Sequence, residues 1–299
     1  MPTPAPDYPE TGFADLPAEF RDATRAAASI LPVPYDATST WKKGADRGPA
    51  ALLQASVELE LYDLPTRSEP YRRGIATRPP VRHDGDPESL ATIVHRETAA
   101  ALERNQIPIT LGGEHSVSIG AIQAAAEHSR DLTVLQIDAH GDTRESYHGS
   151  THNHACVMAR AREVASIIQV GLRAVDVVET ETMDPSRVFF AHDIADRPDD
   201  EWIPRVVDRL TDEVYVTIDL DAFDPSLLPA TGTPEPGGLQ WWPVNRLLRA
   251  VCRRSRVVGF DVVELLPSPG QHASEFIAAK LVYRFLAEIF AQSGGDRAA

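Results

Sequence analysis

Cysteine is nearly absent, with Cys156 and Cys252 the only two in 299 residues. A single distant pair makes no disulfide framework, and no further thiols exist for a zinc knuckle, so both are expected as buried thiols. Lysine is scarcer still for its usual abundance: Lys42, Lys43 and Lys280 are three among 29 basic residues. Long apolar runs are missing as well. The longest, 214–218 and 257–260, fall far short of a membrane span. Residues 1–20 carry Pro, Asp and Glu where a secretory signal needs a basic start and an apolar stretch. A cytoplasmic chain with no membrane partner is expected.

Positive charge is in deficit overall, the formal net charge being −15. Phosphate backbones are bound by clustered Lys and Arg, so nucleic acid is excluded as a natural partner and a small cationic substrate fits better. Acidity with so little lysine is also what a salt-rich cytoplasm or a GC-rich genome produces. The chain is 42% hydrophobic, enough to fill a sizeable core in one large α/β domain.

Residues 1–20, rich in Pro, Ala and acids, read as a loosely held N-terminal arm or a segment that packs on a neighbouring subunit. Residues 21–299 read as a single domain with no linker and no repeat. Strands are predicted at 28–33, 108–111, 133–137, 167–170, 188–190, 214–218 and 257–262. They are short, β-branched and unalternating, the pattern of strands whose two faces are both covered. Helices are predicted at 49–56, 88–103, 116–128, 244–254 and 274–292. Strand and helix alternate, which implies a three-layer α/β fold: a central, mostly parallel sheet with helices on both faces. Ligands of such sheets gather beyond the carboxyl ends of the strands.

Four of these strands run into acids and imidazoles. Gly112-Gly113-Glu114-His115-Ser116 follows the second, and Asp138-Ala139-His140-Gly141-Asp142 the third. The strand from Val214 runs into Asp219-Leu220-Asp221, and the last ends near Asp261 and Glu264. Residues i and i+2 of an extended chain point the same way, so Asp138, His140 and Asp142 can converge, as can Asp219 and Asp221. With His115 they make six candidate ligands, about the number that two divalent cations need. Without a cation, so many neighbouring carboxylates would raise one another's pKa values and cost stability.

These residues resemble the ureohydrolase family, which comprises arginase, agmatinase, guanidinobutyrase and formimidoylglutamase. The likeness begins at Val33-Pro34-Tyr35-Asp36, returns at 112–116, 138–142 and Asn153-His154-Ala155-Cys156, and continues through Val170-Gly171-Leu172-Arg173. It is most specific over 218–225 and 232–238 and closes at 259–264. The resemblance implies two Mn²⁺ per subunit, with Ni²⁺, Co²⁺ or Fe²⁺ as substitutes. Asp138 and Asp219 would bridge both ions, His115 and Asp142 would complete one shell, and His140 and Asp221 the other. It implies attack on a guanidinium carbon by a hydroxide that bridges the metals, since two cations bring the pKa of bound water near neutrality. Asp142 would pass its proton to the departing amine, His154 would shuttle protons with solvent, and Glu264 would grip the guanidinium. A homotrimer or homohexamer is implied too.

Among family substrates agmatine, split into putrescine and urea, is the first expectation, because the 143–153 loop lacks the Asn and Ser pattern with which arginases hold an α-amino acid. Glu114 in its turn also looks agmatinase-like. Arg144 leaves guanidino acids open, so guanidinobutyrase, guanidinopropionase, arginase, guanidine hydrolase and formimidoylglutamase-like activities remain alternatives, and a silent metal-binding protein a remote one. Asp224 is expected to cap the Asp224-Pro225 turn rather than touch metal. His148 and His152 are expected at the surface.

Overall fold

The structure, a computed structural model, describes residues 7–292. Its strands are β1 (Ala28–Val33), β2 (Ile75–Thr77), β3 (Ile107–Gly112), β4 (Leu132–Ile137), β5 (Ser166–Leu172), β6 (Val188–Phe190), β7 (Glu213–Asp219) and β8 (Arg256–Val263). They form one sheet in the order β2-β1-β3-β8-β7-β4-β5-β6, every pair parallel. Between them run α1 (Gly48–Ser56), α2 (Pro87–Glu103), α3 (Ser118–Glu127), α4 (Val157–Ala161), α5 (Val177–Thr180), α6 (Ala191–Ile194), α7 (Asp199–Val207), α8 (Trp241–Arg254) and α9 (Ala273–Gln292).

Both faces of the sheet are covered, as unalternating strands require. In β7, Val214, Val216 and Ile218 enter one apolar cluster, which they share with α1, α8 and α9. Tyr215 between them enters the other, beneath α2, α3 and α4. The three-layer α/β expectation holds, and each predicted strand and helix has its counterpart.

Several features depart from it, among them the short helices α4, α5 and α6, none of which was predicted. The edge strand β2 was not predicted, because three residues are too short to show a period. Helix α7 was not predicted either, since Pro204 sits inside it and three acids, Asp199, Asp200 and Glu201, open it. Likewise α8 starts at Trp241 rather than 244, Pro243 being tolerated in a first turn whose N–H groups have no partner within the helix. The N-terminal arm departs as well. Residues 1–6 of it lie outside the described residues, but Phe13, Ala14 and Leu16 are buried. The amide of Ala14 donates to Ser56 Oγ at the end of α1, 2.8 Å away. A short apolar triplet among acids carries no period, yet here it closes the core against α1. No described helix is long and apolar enough to cross a membrane.

The site owes its position to strand order. The four strands that end in acids and imidazoles, β3, β8, β7 and β4, are consecutive neighbours at the centre of the sheet. Neighbouring strands lie about 4.8 Å apart, so side chains at their ends can reach one another across more than a hundred residues of sequence.

Candidate metal centre

Beyond β3, the turn 112–116 bends sharply beside Tyr35. A Cβ on Gly113 would stand 1.9 Å from the Tyr35 carbonyl oxygen, so only glycine fits. The turn delivers His115 to the floor of the site, fully buried. Its Nδ1 meets three carboxylate oxygens, from Asp142 at 2.8 Å, Asp138 at 3.2 Å and Asp219 at 3.5 Å. Beyond β4, His140 presents Nδ1 to Asp221 at 2.9 Å and to Asp138 at 3.7 Å.

Two ligand groups result: His115, Asp138 and Asp219, and Asp138, His140 and Asp221. All six predicted ligands therefore meet, with Asp142 joining the first group through His115. Asp138 stands in both groups, the position of a bridge. Asp219 is grouped with the first alone.

Whether these residues fit cations is decided at His115. Thr217 Oγ1 donates its one proton to Asp261 Oδ1 at 2.7 Å. It also lies 2.8 Å from His115 Nε2, so it must accept there. Nε2 is thus the protonated nitrogen of the neutral ring, and the lone pair of Nδ1 faces three acids. That buried nitrogen has no hydrogen-bond partner. A lone pair and three carboxylates directed at one point repel one another unless a cation stands between them, and imidazole with carboxylate is a donor set for divalent first-row metals. The residues fit a pair of such ions.

Charge on the bare side chains shows the same demand. Burial would depress His115 and His140, but the acids around them override it, holding His115 well above the imidazole range and His140 up to about 12. Burial, then the charge of Asp138, raises Asp142 to about 6. Burial and the neighbouring acids Asp221 and Asp138 keep Asp219 well above the carboxylate range. Asp138 resists its own burial and lies low, because the imidazoles of His115 and His140 both lie against it.

Glu264 follows β8 and lines the same cleft. Its Oε1 accepts from the His115 amide at 2.7 Å. Burial, then the charge of Glu114, holds it well above the usual range. Asp142 and Glu264 both have left-handed backbone, φ 52° and 64°. Such strain in a non-glycine residue costs about 1–3 kcal/mol and persists where the surroundings fix it.

The cleft has a volume of about 460 Å³, and Trp41, Tyr147, Arg144, Asp176 and Glu179 are among the residues that line it. His154 is held in its wall by Thr38 and Thr40, whose hydroxyls lie 3.1 and 3.0 Å from Nδ1 and Nε2. Burial, then the nearby imidazoles His115 and His140, lowers it to about 4. Arg144 donates to Asp176 at 2.9 Å, approaches Glu179 at 3.9 Å and lies 4.9 Å from the Tyr147 ring centre. Asp224 caps its turn as expected, accepting from Ser226, Gly237 and Gly238 amides. His148 is exposed and His152 half-buried. A larger hollow, about 1020 Å³, lies at the opposite end of the sheet, lined in part by Arg67, Arg73 and Arg253.

Sequence reasoning did not find Thr38, Thr40, Thr217, Asp176 or Glu179. Their roles come from contacts made across long sequence separations, and lone hydroxyls and acids carry no motif.

Comparison with known proteins bears on this centre. The Arginase family model matches residues 26–287. An N(1)-aminopropylagmatine ureohydrolase of Synechocystis sp. is 38% identical over 272 residues, covering 87% of this chain and 88% of that one. An agmatinase of Pyrococcus horikoshii is 34% identical, covering 90% and 94%. Among solved structures, the agmatine ureohydrolase of Thermoplasma volcanium superposes with a TM-score of 0.82 at 33% identity, covering 92% and 94%.

Proposed function

The chain belongs to the arginase family of binuclear metal enzymes and is a ureohydrolase that cleaves amidine C–N bonds, and from that premise we propose that its substrate is an alkylguanidine without a carboxylate, agmatine first. The observation that carries this reading is the state of Arg144. A guanidino acid would need that guanidinium free, but Asp176, Glu179 and the Tyr147 face already hold it. Two acids against one cation leave the cleft with negative charge to spare, which suits an ammonium tail. The names of the relatives favour a second, longer substrate of the same chemistry, N(1)-aminopropylagmatine.

Two divalent cations, proposed as Mn²⁺, supply when bound the Lewis acidity that lets water act as a nucleophile near neutral pH. The chain's own residues do the rest. His115 and Asp142 would hold one cation and His140 and Asp221 the other, with Asp138 and Asp219 contributing to both. Glu264, with Oε1 tied to the His115 amide, offers its second oxygen to the planar guanidinium. Asp142 takes a proton from water and returns it to the amine that departs as urea is left behind. His154 exchanges that proton with solvent. Assembly as a homotrimer or homohexamer belongs to the same proposal, supported by the family alone and checked by mass in solution.

The test of the tail is a comparison of kcat/KM for urea release in Mn²⁺. Agmatine or its aminopropyl form is expected to exceed 4-guanidinobutanoate and arginine at least tenfold. A preference for either carboxylate substrate would refute the reading of Arg144.

A further inference from the structure

Glu114 is fully buried beside His115, and the ligand set leaves it no task. Its four short contacts all point elsewhere. Oε2 accepts from the amides of Thr38 and Ser39 at 2.6 and 2.7 Å, and Oε1 from the hydroxyls of Thr38 and Ser116, each at 2.6 Å. A carboxylate that accepts four hydrogen bonds has no proton to give. The Thr38 hydroxyl therefore spends its only proton on Glu114. Its two lone pairs face the His154 amide, 3.1 Å away, and His154 Nδ1, also 3.1 Å away. Nδ1 must donate, so it carries the proton of the neutral ring. Nε2 keeps the lone pair and lies 3.0 Å from the hydroxyl of Thr40, an exposed residue.

We propose that Glu114 and Thr38 are positioning residues which, through this chain of hydrogen bonds, fix the tautomer and orientation of His154 so that Nε2, on the solvent side, is the atom that takes and returns protons. The inference rests on the reading of His154 as the proton-exchanging group. It assigns Glu114 a task beyond tying the 36–44 loop to the turn, and it explains why the loop supplies hydroxyls to both ring nitrogens. Orientation of an imidazole by an acid acting through a partner is a general means of tuning such groups.

The test uses the full Mn²⁺-loaded enzyme with Thr38→Val, which keeps shape and removes the hydroxyl, Thr38→Ser, which restores it, and each change in a His154→Gln background. Thr38→Val is expected to lower kcat at least tenfold with KM within about twofold, and Thr38→Ser to recover most of the loss. In the His154→Gln background Thr38→Val is expected to cost nothing further, since the two act as a unit. A Thr38→Val loss confined to KM, not recovered by serine, or undiminished in the His154→Gln background would overturn the proposal. The kcat and KM comparison is made with His154 present, so it decides even if the double variant is too slow to follow. Thr38→Ala serves the same comparison if the valine variant does not fold. Absence of urea release from the unaltered enzyme would instead strike the functional reading beneath it.

Discussion

A hydroxyl has one proton, and in this site that fact orders two imidazoles. Thr217 gives its proton to Asp261 and so receives one from His115, leaving Nδ1 free for a cation. Replacing Thr217 with Val removes the acceptor while keeping the shape. Affinity for the metals is expected to fall about 10–100-fold, the usual effect of losing a partner behind a ligand, measured by titration of the metal-free protein. A change under twofold would show that Thr217 does not set the ring. Protons also compete directly with the ions. His140 is raised to about 12 and Asp142 to about 6, so both hold protons more tightly in the folded, metal-free chain than as free side chains. At pH 7 a cation must displace the His140 proton, and below about pH 6 it competes for Asp142 as well. Mn²⁺ affinity is therefore expected to weaken steadily as pH falls, with protons released on binding. Calorimetry at pH 7 in two buffers of different ionisation enthalpy counts them, and a count of zero would contradict the charge states described.

At the scale of elements, the turn after β3 and the start of α2 make contrasting tests. Gly113→Ala drives a Cβ against the Tyr35 carbonyl, a contact between two backbones that cannot move aside. A loss of about 1–3 kcal/mol is expected, together with weakened metal binding because His115 rides on the same turn. Asp86 caps α2, accepting from the Ser89 amide at 2.8 Å with Pro87 in the first turn. Asp86→Ala is expected to lower the denaturation midpoint through loss of the cap and to leave kcat unchanged, since α2 carries no ligand. Denaturant melts and rates of the two variants separate an element that builds the site from one that supports the fold. The central strands were legible in the sequence because burial on both faces leaves unbroken β-branched runs, and the clustering of the six acids and imidazoles because i, i+2 spacing repeats at strand ends. Edge strand β2 and helix α7 were not, one being too short for a period and the other interrupted by Pro204. The hydroxyl partners of His115 and His154 were invisible for another reason. Thr217 and Thr38 lie 102 and 116 residues from the rings they touch, and only the sheet order and the 36–44 loop bring them there.

The whole molecule is a strongly acidic body around an acidic cleft. Exposed carboxylates at a formal charge of −15 repel one another, and salt screens that repulsion within about 10 Å at 0.1 M. The melting temperature is expected to rise from low salt to molar KCl, and one that falls or stays flat would show that local pairs such as Arg160–Glu145 already balance the surface. The same field favours cations over anions at the cleft, consistent with Arg144 being neutralised by Asp176 rather than offered to substrate. The chemistry at the heart of the molecule is release of urea from a guanidinium beside six clustered acids and imidazoles. The most direct measurement is urea produced from agmatine and N(1)-aminopropylagmatine by the intact enzyme and by Asp138→Ala, with Mn²⁺ and after chelation. Urea from the intact, metal-loaded enzyme alone, abolished by chelation and by the loss of Asp138, is the expected result. No urea from these or any other guanidino compound, or urea undiminished without metal or without Asp138, would contradict it.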